Sequence, residues 1–280
     1  MKKILAIALT LTLVFALAVS SSAALPAGWK YANTGGASEV NAVVNADNSL
    51  SLTWGNPDIY WANLGVGYDV SAFNNNYTAT VDVFVPAKYM LGGTTYTTGT
   101  PVVAVNVDNV EANQWVSGFS LKLINYEGNP YVNETNYAAW GNTWNVVEAY
   151  APASTATAVA VACASFADLG IKAGDWNTVK VVVNGANVSY YVNGVLAVDN
   201  VASAVTGNYF VLGTNGDCGV AGNLPSFKNV VIKSNDGSVA DVTAFTTTTA
   251  GPADIEVIAI AGAMIVALMA AAFVVKARKA

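Results

Sequence analysis

The 280-residue chain has no histidine, a single arginine at position 278 and two cysteines, Cys163 and Cys218. Without histidine there is no Ser-His-Asp triad, no Cys-His nucleophile, no His-bound hydrolytic zinc and none of the commonest general base. Between Leu25 and Asp254 arginine is absent altogether, and 17 Asp and Glu stand against 7 Lys, a formal charge of about −10. Nucleic acids bind through cations that neutralise phosphates, so they are excluded as partners, and strongly anionic glycans are disfavoured for the same reason. Two cysteines allow one intramolecular disulfide. Joining Cys163 to Cys218 closes a loop worth on the order of 4 kcal/mol of chain entropy, and two buried thiols are the alternative. A cysteine metal site needs more ligands than these.

Two apolar runs lie at the ends. Ile4 to Val19 follows Lys2 and Lys3 and leads into Ser20, Ser21, Ser22, Ala23 and Ala24, the basic start, short apolar middle and small-residue cut site of a secretory leader. A retained membrane helix is the other reading of that run. Val257 to Val275 carries no charge and, as a helix rising about 1.5 Å per residue, just spans a hydrocarbon core. Lys276, Arg278 and Lys279 follow it, and basic residues stay on the cytoplasmic side, which puts the body outside. The expected layout is therefore leader 1–24, a β domain over 25–234, a polar stalk over 235–254, a transmembrane helix over 255–275 and a cytoplasmic tail over 276–280.

The body has a hydrophobic period of two. Tyr77, Ala79, Val81, Val83 and Val85 alternate with Thr78, Thr80, Asp82 and Phe84, and Phe119, Leu121 and Leu123 with Ser120 and Lys122. Further strands are expected near Glu39, before Trp54, after Pro101, from Trp144 and before Cys163; Ser165 to Leu169 hints at helix. From Trp176 to Asn200 a meander is expected, with Asn184-Gly185 and Asn193-Gly194 as type I′ turns, since both central residues of that turn need positive φ. Phe227 to Ser234 reads as a closing strand and Val242 to Phe245 as a last short one.

The run GDWNTVKVVVNG, the paired tyrosines 190 and 191, YVNGVLAVD and FKNVVI together resemble the concanavalin A-like lectin and glucanase superfamily, in particular its laminin G-like and 3-keto-disaccharide hydrolase-type modules. The resemblance spans Asp175 to Ser234 in motif and Glu39 to Tyr150 in architecture. It implies an all-β, two-sheet antiparallel jelly-roll sandwich with a sugar-binding face or rim, and it does not imply catalysis. Laminin G-like modules also imply a rim calcium, for which Asp58, Asp108 and Asp217 are acids of suitable type; no other cofactor is expected.

Catalysis would have to rest on carboxylates. The alternating E-x-D-x-E or E-x-D-x-x-E run of the fold's glucanases is absent, which leaves Asp82 and Glu148 as the strand acids able to form a pair. Binding has a stronger local feature: Tyr126 to Tyr150 holds six aromatics in 25 residues, interleaved with Asn, Thr and Glu. Rings stack on the apolar faces of sugars while amides and carboxylates take the hydroxyls. Tyr131, Tyr137, Trp140 and Trp144 are the candidates, joined by Trp61 from a second aromatic loop, Trp54 to Asp69; core packing of these rings is the competing reading. The sequence thus points to a non-catalytic surface module, held in the cell membrane by one helix, for neutral glycan or a surface protein. A glycoside-active enzyme using a carboxylate pair and a structural envelope protein are the alternatives. Amino-terminal sequencing of the exported protein is expected to start at Ala24 or Leu25; a start at Met1 contradicts the leader.

Overall fold

A computed structural model describes residues 24–32, 42–52, 63–87, 90–92, 95–97, 100–108, 118–125, 145–154, 157–215 and 224–247. Residues 1–23 and 248–280, which hold the expected leader and membrane span, lie outside them. Among the described residues no helix is long and apolar enough to cross a membrane.

The strands in chain order are β1 Trp29–Ala32, β2 Ala42–Val44, β3 Leu50–Leu52, β4 Asn63–Asp69, β5 Asn76–Val85, β6 Met90–Gly92, β7 Thr95–Thr97, β8 Thr100–Val107, β9 Phe119–Asn125, β10 Asn145–Ser154, β11 Thr157–Ser165, β12 Asp175–Asn184, β13 Asn187–Val192, β14 Val195–Ala202, β15 Tyr209–Asn215, β16 Ser226–Ser234 and β17 Val242–Ala244. Sheet I runs β1-β4-β15-β8-β9-β10-β11, sheet II runs β14-β13-β12-β5-β16-β3-β2 with β17 beside β16, and β6 and β7 form a small ribbon. The two antiparallel sheets face each other as the expected jelly-roll sandwich. Ser165 to Leu169 is not helical: β11 runs into a turn over residues 166–170.

Alternation explains the core. In β5 every second residue from Tyr77 to Val85 is buried, and Val179, Val181 and Val183 of β12 and Val188, Tyr190 and Val192 of β13 continue the layer. Sheet I meets it with Val103, Val105, Phe119, Leu121, Leu123, Val147, Phe210 and Leu212. Tyr190 crosses the sandwich: its phenol, fully buried in β13, donates toward the carbonyls of Val103 in β8 (3.1 Å) and Phe119 in β9 (3.0 Å). Burial pushes the phenols of both Tyr190 and Tyr77 above their ordinary range, so Tyr190 stays a donor.

The meander departs from expectation at one turn. Asn193 (φ 49°) and Gly194 (φ 83°) are the central pair between Val192 and Val195, as a type I′ turn requires. At the other turn Asn184 pairs with Asn187, so the loop is Gly185-Ala186, with glycine (φ 62°) at the first central position, the type II′ arrangement. Asn177 then braces the neighbouring loop: its amide exchanges hydrogen bonds with the backbone of Lys172 (both 2.9 Å) and accepts from Asn193 (3.1 Å).

The compact unit continues past Ser234 to Thr246. β17 pairs with β16, the backbone N–H of Asn229 donates to the Phe245 carbonyl (2.7 Å), and the Phe245 ring stands edge-on to Trp29 (4.9 Å between centroids). Tyr190→Phe is expected to lower unfolding free energy by about 1–3 kcal/mol, the cost of stranding buried acceptors; chemical denaturation checks this, and an unchanged midpoint contradicts the cross-sheet role.

Candidate functional site

Strand register gathers many chain ends at one end of the sandwich. In sheet I, Asn63, Asn215 and Thr100 lie side by side, and Asn125 pairs with Asn145. In sheet II, Val85 pairs with Asp175, and Ser226 with both Phe84 and Ser51. The Asn125 amide donates to the Pro86 carbonyl (2.8 Å) and so ties the two sheets at that end. The connections 53–62, 126–144 and 216–223 all leave and re-enter the described chain there. The sequence candidates Trp61, Tyr131, Tyr137, Trp140 and Trp144 fall in the first two of these connections, and all five lie outside the described residues. So do Asp58, Asp217 and Cys218; Cys163 is placed in β11 by its backbone.

The strands that anchor connection 126–144 carry an unusual feature. β8 and β9 are buried along their whole length, on both faces. On the inner face this is ordinary core. On the outer face the buried residues include Ser120 and Lys122, each about 1% exposed. The sequence reading set these two opposite the core residues of β9, where half-buried strands usually meet water. Lys122 Nζ instead stands 4.1 Å from the centroid of the Tyr150 ring, which β10 presents beside it. An ammonium removed from water is costly, and a desolvated cation over an aromatic face recovers about 2 kcal/mol. Ser120 Oγ is buried with no hydrogen-bond partner in the structure. Directly across from Lys122 in register is Glu148, and across from Ser120 is Tyr150. Beyond them the outer face flattens: the same cross-strand rows pass through Val102 and Ala104 of β8 to Val211 and Gly213 of β15 and Gly65 and Gly67 of β4. Ala32, Val102, Ala104, Val107 and Val211 form a second small apolar cluster on that side.

An ammonium, a hydroxyl and an aromatic ring are thus packed together on an apolar floor, next to the root of an aromatic-rich connection. Polar groups held this way are preorganised, since their strand is fixed by packing on both sides. Sequence reasoning passed over Lys122 and Tyr150. The available signal was a lone lysine inside GFSLKLIN, a run otherwise apolar enough to be buried on both faces.

The acid pair Asp82 and Glu148 does not come together. Asp82 stands on the outer face of sheet II, its two oxygens accepting from Thr178 Oγ1 and Asn229 Nδ2 (2.8 Å each), whereas Glu148 belongs to β10 of sheet I. A core layer about 10 Å thick lies between that carboxylate and sheet I. Asp108 is exposed just past β8, at the end away from the aromatic connections. Among the described residues no three His, Cys, Asp or Glu side chains gather as a metal site.

The family model of the 3-keto-alpha-glucoside-1,2-lyase-like domain matches residues 27–233. Among curated proteins none matches the chain. Similar solved structures include a carbohydrate binding module from Bacillus subtilis, 12% identical, covering 74% of this chain and 96% of its own at a TM-score of 0.44. The carbohydrate recognition domain of Emp47p is 13% identical over 75% of this chain and 88% of its own, TM-score 0.43. A protein of unknown function with a galectin-like fold from Bacillus subtilis is 10% identical over 74% and 89%, TM-score 0.39.

Lys122→Met keeps the buried stem and removes the ammonium. Its unfolding free energy is expected to fall by at least about 2 kcal/mol, the size of the ring contact alone; an unchanged midpoint in a denaturant titration would contradict a structural role for the buried ammonium.

Proposed function

Since this chain belongs to the 3-keto-alpha-glucoside-1,2-lyase-like domain family, we propose that it is an extracellular carbohydrate-binding module whose ligand is neutral and lies on the outer face of sheet I, beside the connection from β9 to β10. The observation that carries this reading is the buried Lys122 over Tyr150, with Ser120 Oγ unsatisfied on the same strand. Sugar hydroxyls suit that set. They donate to or accept from the serine, and the apolar side of the ring rests on the aromatic and small residues around it. Tyr131, Tyr137, Trp140 and Trp144 belong to the connection rooted on the same two strands, and their stacking surfaces would complete the site. The net charge of the body argues for a neutral ligand over a polyanion. The leader and the run Val257 to Val275 support export and tethering by one membrane helix, with the body outside.

A second reading, a sugar lyase, is favoured by one observation: the backbone of Glu148 pairs in register with that of Lys122 across β9 and β10. Elimination next to a sugar ketone needs a base for the proton on the carbon beside it, and a carboxylate is a group of the right kind.

The full-length chain in detergent, applied to an array of neutral oligosaccharides, is expected to be retained. Lys122→Met and Trp140→Ala, each still folded by circular dichroism, should lose at least tenfold in affinity. Equal binding by both folded variants, or no retention of any glycan, contradicts the proposal. Release of product from a 3-keto-glucoside, abolished in Glu148→Gln while binding persists, would select the lyase reading.

A further inference from the structure

The opposite side of the sandwich carries a second feature that none of the foregoing uses. Along β5 and β12 the outward positions should be polar, and Thr78, Thr80, Asp82, Thr178 and Lys180 are. At the end of both strands the pattern breaks: Phe84 and Trp176, paired in register, both face outward and are only half-buried. Their rings meet edge to face, 5.6 Å between centroids at 64°. Lys228 of β16 places its Nζ 4.1 Å from the centre of the indole and pins it from one side. With Ser51, Ser226 and Leu224 the two rings line a shallow depression of about 220 Å³.

The hydroxyls of that depression have a fixed polarity. Asn45 Nδ2 donates to Ser51 Oγ (2.8 Å), Ser51 and Ser226 share a hydrogen bond (2.8 Å), and Ser226 Oγ donates to the Leu224 carbonyl (3.1 Å). Each serine has one proton, and that of Ser226 is committed to Leu224. Ser51 must therefore donate to Ser226. Each oxygen then has one donor bond made, one lone pair filled and one lone pair unused. The depression presents acceptors, so it asks its ligand for O–H or N–H donors. One charge of each sign stands at its border: Lys228, over the indole, is opposite Asp82 in register, and Asp82 is held by Thr178 and Asn229.

We propose that this depression is a second carbohydrate site, for one ring of a neutral pyranose chain. A pyranose presents an apolar face to Trp176 and Phe84 and several hydroxyl donors to Ser51 and Ser226. A carboxylate or phosphate is acceptor-only and would meet the unused lone pairs unfavourably. The indole and the serine chain are held in place before binding, which lowers the ordering cost. The site lies on sheet II and does not depend on the reading of the outer face of sheet I.

The test uses the full-length chain carrying Lys122→Met and Trp140→Ala, titrated calorimetrically with cellohexaose, maltohexaose and laminarihexaose. At least one is expected to bind with a stoichiometry of one. Adding Trp176→Thr or, as an independent variant, Phe84→Thr should weaken it at least tenfold; threonine is a good strand residue, and circular dichroism with the melting temperature confirms folding. Hexagalacturonate should bind at least tenfold more weakly than the neutral chain. Loss of all binding in the starting double variant, when the parent binds, overturns this second site and leaves the first standing. Binding that persists unchanged in folded Trp176→Thr and Phe84→Thr overturns it as well, and so does absence of binding in every chain tested.

Discussion

One buried hydroxyl sets the geometry on which the rest depends. Tyr190 reaches from β13 across the core and shares its single proton between carbonyls of β8 and β9, the two strands buried on both faces. A hydrogen bond in this apolar layer is strong in place and costly to leave unmade, so the sheets can slide or tilt little at that point without losing it. β9 is thereby fixed by its neighbours in the sheet, by the core beneath and by the phenol. Three residues beyond the Phe119 carbonyl stands Lys122, the buried cation of the outer face. Order in the core is transmitted directly to the proposed sugar site.

The two outer faces solve a similar problem with different chemistry. On sheet I a cation, a hydroxyl and a tyrosine ring lie sunk among small residues, which suits enclosure of a ligand. On sheet II two aromatic side chains and a hydroxyl chain of fixed direction form an open shelf. In both, the polar groups belong to strands and not to loops, so the positions of their atoms are set by register.

Where the pattern of residues alternates cleanly and turn residues punctuate it, the sequence was sufficient. β5, β12, β13 and β16 were legible almost to the residue, because period-two runs end at asparagine and glycine. β4 escaped because Gly65 and Gly67 take the place of side chains on one face of NLGVGYD, leaving little periodicity to read. The turn after β12 slipped by one residue, since glycine at the first central position serves a type II′ turn as well as asparagine-glycine serves type I′. Faces were harder than strands. Alternation tells which residues share a side, but it set Ser120 and Lys122 on a second face of β9 without showing that this face is covered too; the apolar run around the lysine was the only sign of that. The same alternation marked Phe84 as outward, yet its partner in β12 became visible only through register. The aromatic candidates from Trp61 to Trp144 lie beyond the described residues, and the structure speaks only of where their connections begin and end.

Sugar recognition at the outer face of sheet I is decided by a crystal structure of the chain with a bound neutral oligosaccharide. Density for a sugar ring is expected within hydrogen-bonding distance of Ser120 Oγ and in contact with the aromatic side chains of the β9–β10 region. Sugar density confined to other surfaces, with Lys122 and Ser120 untouched, would contradict it.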